Sequence, residues 1–555
     1  MSRRPRRRHR RGSAVPLLGR RWAVAALAGT LAAGGTAAAL APAGWAAHPT
    51  PSASPSSSPS SSPSGSGSTS ALGFDPDDTG APQAITRIVG AQQDWTQGWT
   101  GRGVDVAVID TGVAPVRGLD APGQVVTGPD LSFDSPDAPT PGLDAYGHGT
   151  FMAGLIAGRD AATGAGACPR CLTSSPFSDV DRYVGVAPEA RVVDVKVGAA
   201  DGAVDVSQVI AAIDWTVQHA HDPGFNIKVI SLSYGTDSVQ QYDRDPLAQA
   251  AEQAWKHGVT VVAAAGNDGR GPGKVADPAY DPYLIAVGAD DPMATLAVDD
   301  DRVPDWAQHG TRTRPVDVVA PGAHAIGLSV PGGWVDTQAG NTGRLGTRFQ
   351  RGSGTSQATA VVAGAVALLA QKYPAATPDT LKALLTTTAR PMAKVKNNDN
   401  TTELYAGSGL IDVAAALSAT PAAGTQTWDA STGAGSLDKS RAKEYVTDGT
   451  TDLRGDQDIF GRPFDAAGTA ALQAQGRAWT GGLWNSSRWT GDGWSSSRWT
   501  SSRWTGVDWA GNAWTSSRWT GMTWDSSRWT GSGWGSSRWT SSRWTGANWS
   551  TAAWS

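Results

Sequence analysis

The chain has 555 residues, 40% of them hydrophobic, with 68 Gly, 34 Pro and two Cys; this supports a sizeable core and several domains and excludes a wholly disordered or collagen-like protein. Charge is uneven: residues 1–46 hold nine Arg and no acid, residues 476–555 hold eight Arg against three Asp, and the body between carries 29 basic against 47 acidic residues. An acidic body of this kind argues against nucleic acid as its partner.

In chain order, residues 1–46 read as a signal peptide. A basic start (MSRRPRRRHRRGS) precedes an alanine-rich apolar stretch over residues 22–41 and small residues near 44–46. Arg20-Arg21 fits a twin-arginine pattern loosely. The competing reading is an uncleaved membrane anchor, which the stretch's Ala, Gly and Thr content disfavours. Residues 47–84 form a Pro/Ser-rich spacer and N-terminal segment, because PTPSASPSSSPSSSPSGSGS cannot bury apolar surface. Both features point to a secreted protein.

Over residues 85–418, short β-branched runs alternate with helical patterns. Strands are predicted over residues 104–110, 191–197, 228–234, 259–265, 284–289 and 316–320. Several are apolar throughout, as strands covered on both faces should be. Val206, Val209, Ile210, Ile213 and Val217 recur at helical spacing, and Asp245-Pro246 opens a helix that Gly258 closes. The expected fold is α/β, a mostly parallel sheet flanked by helices, whose chemistry gathers beyond the carboxyl ends of the strands. Cys168-Pro169-Arg170-Cys171 reads as a local disulfide in an exported chain; a zinc site would need two more ligands at suitable spacing.

Four segments sit at such ends: Val106-Ala107-Val108-Ile109-Asp110-Thr111-Gly112, Gly147-His148-Gly149-Thr150, Ala263-Ala264-Ala265-Gly266-Asn267 and Gly352-Ser353-Gly354-Thr355-Ser356. Singly each is ordinary, a turn-forming Asp, a structural His or a capping Ser. Together they supply what acyl transfer to serine needs. An imidazole takes the hydroxyl proton, a carboxylate holds its tautomer, and an amide with a helix-terminal N–H meets the developing oxyanion.

These segments resemble the subtilisin-like serine peptidases, the subtilases, in the chain order Asp…His…Ser. The resemblance extends through Gly185-Val186-Ala187-Pro188, Ser231-Leu232-Ser233-Tyr234-Gly235 and Ala320-Pro321-Gly322. It implies a serine endopeptidase acting on proteins or peptides, with Asp110, His148 and Ser356 as triad and Asn267 as oxyanion donor. It also implies that Ser233, Tyr234, Gly235 and Ala264, Ala265, Gly266 hold the substrate backbone as an added strand. No cofactor is needed for the chemistry. Structural calcium is common in the family, and Asp-rich loops such as residues 130–144 suit it without specifying ligands. Gln357 and Ala360 stand where the family pattern has Met and Pro, and are expected to alter packing rather than proton transfer. An esterase or ligase using the same triad, and a non-catalytic surface-binding scaffold, are the rival readings.

Residues 419–475 lack sustained periodicity and read as a linker. From Trp479 to Trp554 a Trp falls at every fifth position, 16 in all, often within Ser-Ser-Arg-Trp-Thr. Period five makes a single stripe on neither a helix nor a continuous strand, so residues 476–555 are expected to form a repetitive region of β/turn character. Aromatic faces and arginines suit a cell-wall polysaccharide; a self-associating scaffold and a disordered tail are the alternatives.

Overall fold

The computed structural model describes residues 70–489, apart from 135–141, 162–167, 270–274, 339–342, 393–394, 397–401, 404 and 448–450, together with 505–506 and 518–519. The signal-peptide assignment, most of the spacer and most of the tryptophan array lie outside the described residues.

Eight strands matter for the site: β1 (Asp105–Asp110), β2 (Val125–Asp130), β3 (Arg191–Lys196), β4 (Ile227–Leu232), β5 (Tyr234–Gly235), β6 (Thr260–Ala264), β7 (Ile285–Asp290) and β8 (Val318–Pro321). All but β5 form one sheet in the order β2-β3-β1-β4-β6-β7-β8, with every neighbouring pair parallel. All six expected strands are present. The unforeseen one is β2, whose Gly128-Pro129 breaks the apolar pattern; at the sheet's rim its missing N–H costs little.

The helices are α1 (Pro82–Ile88), α2 (Ala91–Trp95), α3 (His148–Ala157), α4 (Val206–His219), α5 (Pro246–Lys256), α6 (Trp334–Gln338), α7 (Thr355–Lys372), α8 (Pro378–Thr388), α9 (Val413–Ser418), α10 (Leu437–Arg441) and α11 (Ala466–Gln473). Helix α7 is buried from Thr355 to Ala370. Its Ala, Val and Gly content lets it lie close to its neighbours: a Cβ on Gly364 would stand 2.7 Å from Val186 Cβ. Burial on all sides also explains why it reads as apolar all round. Among the described residues, no helix is long and apolar enough to cross a membrane.

Residues 419–475 are not a free linker. They carry α10 and α11 and are tied to the body by polar anchors that hydrophobic periodicity cannot reveal. Arg441 is fully buried and grips Asp205, with Nε 2.6 Å from Oδ2 and Nη2 3.1 Å from Oδ1. Nη1 and Nη2 also donate to Gly455 O and Gln457 O. Burial works against the guanidinium charge, but the attraction of Asp205 outweighs it and raises the Arg441 pKa. Asp205 itself caps α4 by accepting from Ser207 N, so one carboxylate starts a core helix and anchors the extension.

The tryptophan array begins inside this body. Trp479, Trp484 and Trp489 are buried. Phe464 stacks on Trp484, and Phe460 meets Trp489 edge-on at 4.9 Å. Trp484 Nε1 donates to Asp214 Oδ2 of α4 at 2.7 Å, beside Gln473 Nε2 at 3.1 Å. Burial pushes the Asp214 carboxyl up to about 7, with these two bonds offsetting only part of the effect.

A pH dependence follows. Unfolded Asp214 loses its proton near pH 4 and folded Asp214 near 7, so the folded state holds an extra proton between these values. This stabilisation is complete below about pH 4 and is lost as pH rises through about 7. Asp214→Asn keeps an acceptor for Trp484 and has no proton to lose. In urea unfolding between about pH 4 and 8, the wild type should lose stability relative to this variant as pH rises. A difference that is constant across that range contradicts the assignment.

Candidate active site

Asp110 ends β1, at the point where the sheet order turns from β3 on one side to β4 on the other, and His148 opens α3. Such switch points leave a crevice at the carboxyl edge. Gly147, at φ +109°, makes the left-handed turn that aims His148 back at β1. His148 Nδ1 lies 2.8 and 2.9 Å from the two carboxylate oxygens of Asp110, and both side chains are buried. An imidazole nitrogen facing a carboxylate carries the proton, which leaves Nε2 as the basic nitrogen.

Asn267 follows β6, and Ser356 lies in the first turn of α7. The Asn267 Oδ1 accepts from Thr355 N at 2.9 Å and from Thr355 Oγ1 at 3.2 Å. With its oxygen so committed, the amide presents its NH2 group as a donor beside Ser356. The Ser356 N–H belongs to the first turn of α7, where backbone N–H groups point out of the helix end. Ser356 Oγ donates to Ser233 O at 3.4 Å, and Ser233 Oγ donates to Ser356 O at the same distance. Since β4 and β6 are adjacent and parallel, Ser233-Tyr234-Gly235 and Ala264-Ala265-Gly266 emerge side by side at one edge. All six are buried.

Sequence reasoning missed Asp144. Its carboxylate accepts from Thr111 Oγ1, Tyr146 N, Gly147 N, Thr150 N and Thr150 Oγ1, at 2.6–3.0 Å. It therefore ties the turn before His148 to the loop after Asp110, and burial raises its pKa despite these bonds. An acid four residues before a Gly-flanked His was the available signal. Beneath it, Lys196 is buried and donates to Thr111 O and Gly198 O at 2.8 and 2.7 Å. Burial alone would lower the Lys196 pKa; the attraction of Asp134, Asp130, Asp144 and Asp194 outweighs that and raises it. Among the described residues of the 130–144 loop, Asp130, Asp134 and Asp144 thus already interact with an ammonium, an environment that does not fit a calcium ion. Cys168 and Cys171 are joined as a disulfide with their Cα atoms 5.4 Å apart.

A parallel α/β sheet that presents Asp, His, Asn and Ser in this chain order along one edge defines the subtilisin-like serine peptidase architecture. The chain belongs to the subtilase family, whose model matches residues 101–435. It is 35% identical over 294 residues to the serine protease AprX of Bacillus subtilis, a match covering 52% of this chain and 61% of AprX. It is 32% identical over 339 residues to subtilisin Savinase of Lederbergia lenta, covering 60% of this chain and 98% of Savinase. A cold-adapted subtilisin-like serine proteinase of known structure superposes with a TM-score of 0.39 at 29% identity, over 55% of this chain and 88% of its own. Family membership makes the protein a serine-type endopeptidase that needs no cofactor for its chemistry.

Gln357 is fully buried, and neither amide atom has a hydrogen-bond partner among the described residues. A buried, unpaired amide is destabilising where the family's Met would be neutral. Gln357→Met should therefore raise unfolding free energy by about 1–3 kcal/mol in urea titrations. No gain, or a loss, would show that the amide is satisfied in solution.

Proposed function

We propose that this protein hydrolyses peptide bonds in protein substrates through Asp110, His148, Ser356 and Asn267. The observation that carries the reading is the buried contact of His148 Nδ1 with both Asp110 oxygens. His148 Nε2 takes the Ser356 Oγ proton as Oγ attacks the scissile carbonyl, and then delivers it to the departing amine. Asn267 Nδ2 and the Ser356 N–H receive the oxyanion. Water then attacks the acyl-enzyme with His148 again as base, and Ser356 recovers its proton. Ser233-Tyr234-Gly235 and Ala264-Ala265-Gly266 hold the substrate backbone between them as an added strand.

Export and surface retention complete the proposal. The basic, alanine-rich N-terminus supports export. The net positive tail, with 13 Trp beyond Trp489, supports contact with a wall bearing acidic polymers. Retention of this kind weakens as salt rises, so washing cells with increasing NaCl should release the enzyme. Release independent of salt counts against a charge-based anchor.

Ser356→Ala should abolish both hydrolysis of unfolded protein and labelling by a fluorophosphonate, with the fold retained by circular dichroism. Activity surviving in that variant would remove the assignment, and wild-type protein that never labels would favour the scaffold reading. Asn267→Ala should lower kcat about 10²–10³-fold with little change in KM, a magnitude taken from subtilisin's own oxyanion-hole asparagine rather than from this geometry. An unaltered kcat would mean that another group meets the oxyanion.

A further inference from the structure

Strand β5 follows directly on Ser233, whose carbonyl accepts from Ser356 Oγ. Among the described residues its ladder partner is residues 518–519 of the tail. The pair is antiparallel, with Arg518 opposite Gly235 and Trp519 opposite Tyr234. Residues 518–519 thus lie along the segment assigned above to the substrate backbone. From this pairing we propose that the substrate-binding edge takes the chain's own Arg-Trp repeat units as a resident ligand, which competes with substrate for the cleft. The proposal rests on the peptidase reading and names a ligand for the same site.

Three further observations support it. First, the tail's other described strands also add antiparallel to a neighbour. Residues 505–506 pair with Val446-Thr447, and Ser487-Arg488 with Leu483-Trp484. Residues 505–506 are held by strand addition, which is also how an extended peptide binds an open sheet edge. Second, Ser356, His148 and Asn267 are 0, 1 and 4% exposed, so little of this group faces solvent in the state in which residues 518–519 lie on β5. Third, Ser-Ser-Arg-Trp-Thr occurs seven times, six of them beyond the copy at residues 486–490 that is built into the fold. The 28 residues between Trp489 and Arg518 reach up to about 90 Å when extended, ample to return to the cleft. Six tethered copies act at an effective concentration on the order of 1 mM, enough for a weak ligand to compete.

The test uses the full chain with proline at Trp499, Trp504, Trp519, Trp529, Trp539 and Trp544, which removes the backbone donor from each outer copy. These positions lie beyond the buried Trp479, Trp484 and Trp489. With a small chromogenic peptide as substrate, KM should fall about threefold or more at unchanged kcat. Added synthetic Ser-Ser-Arg-Trp-Thr-Gly should restore the higher KM by competition, whether or not it is cut, and its Ser-Ser-Arg-Pro-Thr-Gly counterpart should not. Equal KM in both proteins, with no competition by the peptide up to about 5 mM, would overturn the proposal. If the proline variant hydrolyses substrate and Ser356 takes the fluorophosphonate label while that equality holds, only the tail ligand is rejected. If neither protein labels or hydrolyses, the peptidase reading falls, and the tail ligand with it.

Discussion

A parallel sheet releases every one of its strands at the same edge. That constraint brings Asp110, His148, Asn267 and Ser356 to one edge of the sheet although they come from four separate stretches of chain. The helices that return the chain must cross the faces, which is why strands such as β1 and β7 are buried along their whole length. It is also why α7 is made of small apolar residues: Ser356 can stand at the crevice only if the helix behind it runs through the core. Packing density in the middle of the molecule and position at its edge are one requirement.

The first tier of that arrangement was legible in the sequence because it depends on local rules. Apolar runs gave six strands, N-cap and proline signals gave α5, and glycine-flanked Asp, His, Asn and Ser marked the edge. Strand β2 escaped because its rim position tolerates the Gly-Pro that a central strand would not. Asp144 and Lys196 escaped because a charged side chain in a loop or strand reads as solvent-facing. Their role depends on partners up to 85 residues away, as with Lys196 and Thr111 O, and no local window contains both.

The extension beyond the family match at residue 435 follows a different logic. It is held by a few strong polar contacts, Arg441 on Asp205 and Trp484 on Asp214, with aromatic rings filled in around them. Both carboxylates belong to the start and middle of α4. Such anchors leave little trace in hydropathy, so the segment looked like a spacer. Removing one member of the buried Arg441–Asp205 pair would leave an uncompensated charge, at a cost of about 3–5 kcal/mol. The extension and the core are therefore coupled in stability although their sequences are patterned differently.

The copy of Ser-Ser-Arg-Trp-Thr built into the fold has a bearing on how the tail can vary among descendants of this gene. The copy that begins at Ser486 contributes Trp489 to the buried body. Tandem near-identical coding units expand and contract by unequal recombination, and each event of that kind adds or deletes whole units while leaving one of them next to Trp484. Tail length can then drift through many values with the catalytic body unchanged. Selection on the number of units is thereby separated from selection on the fold.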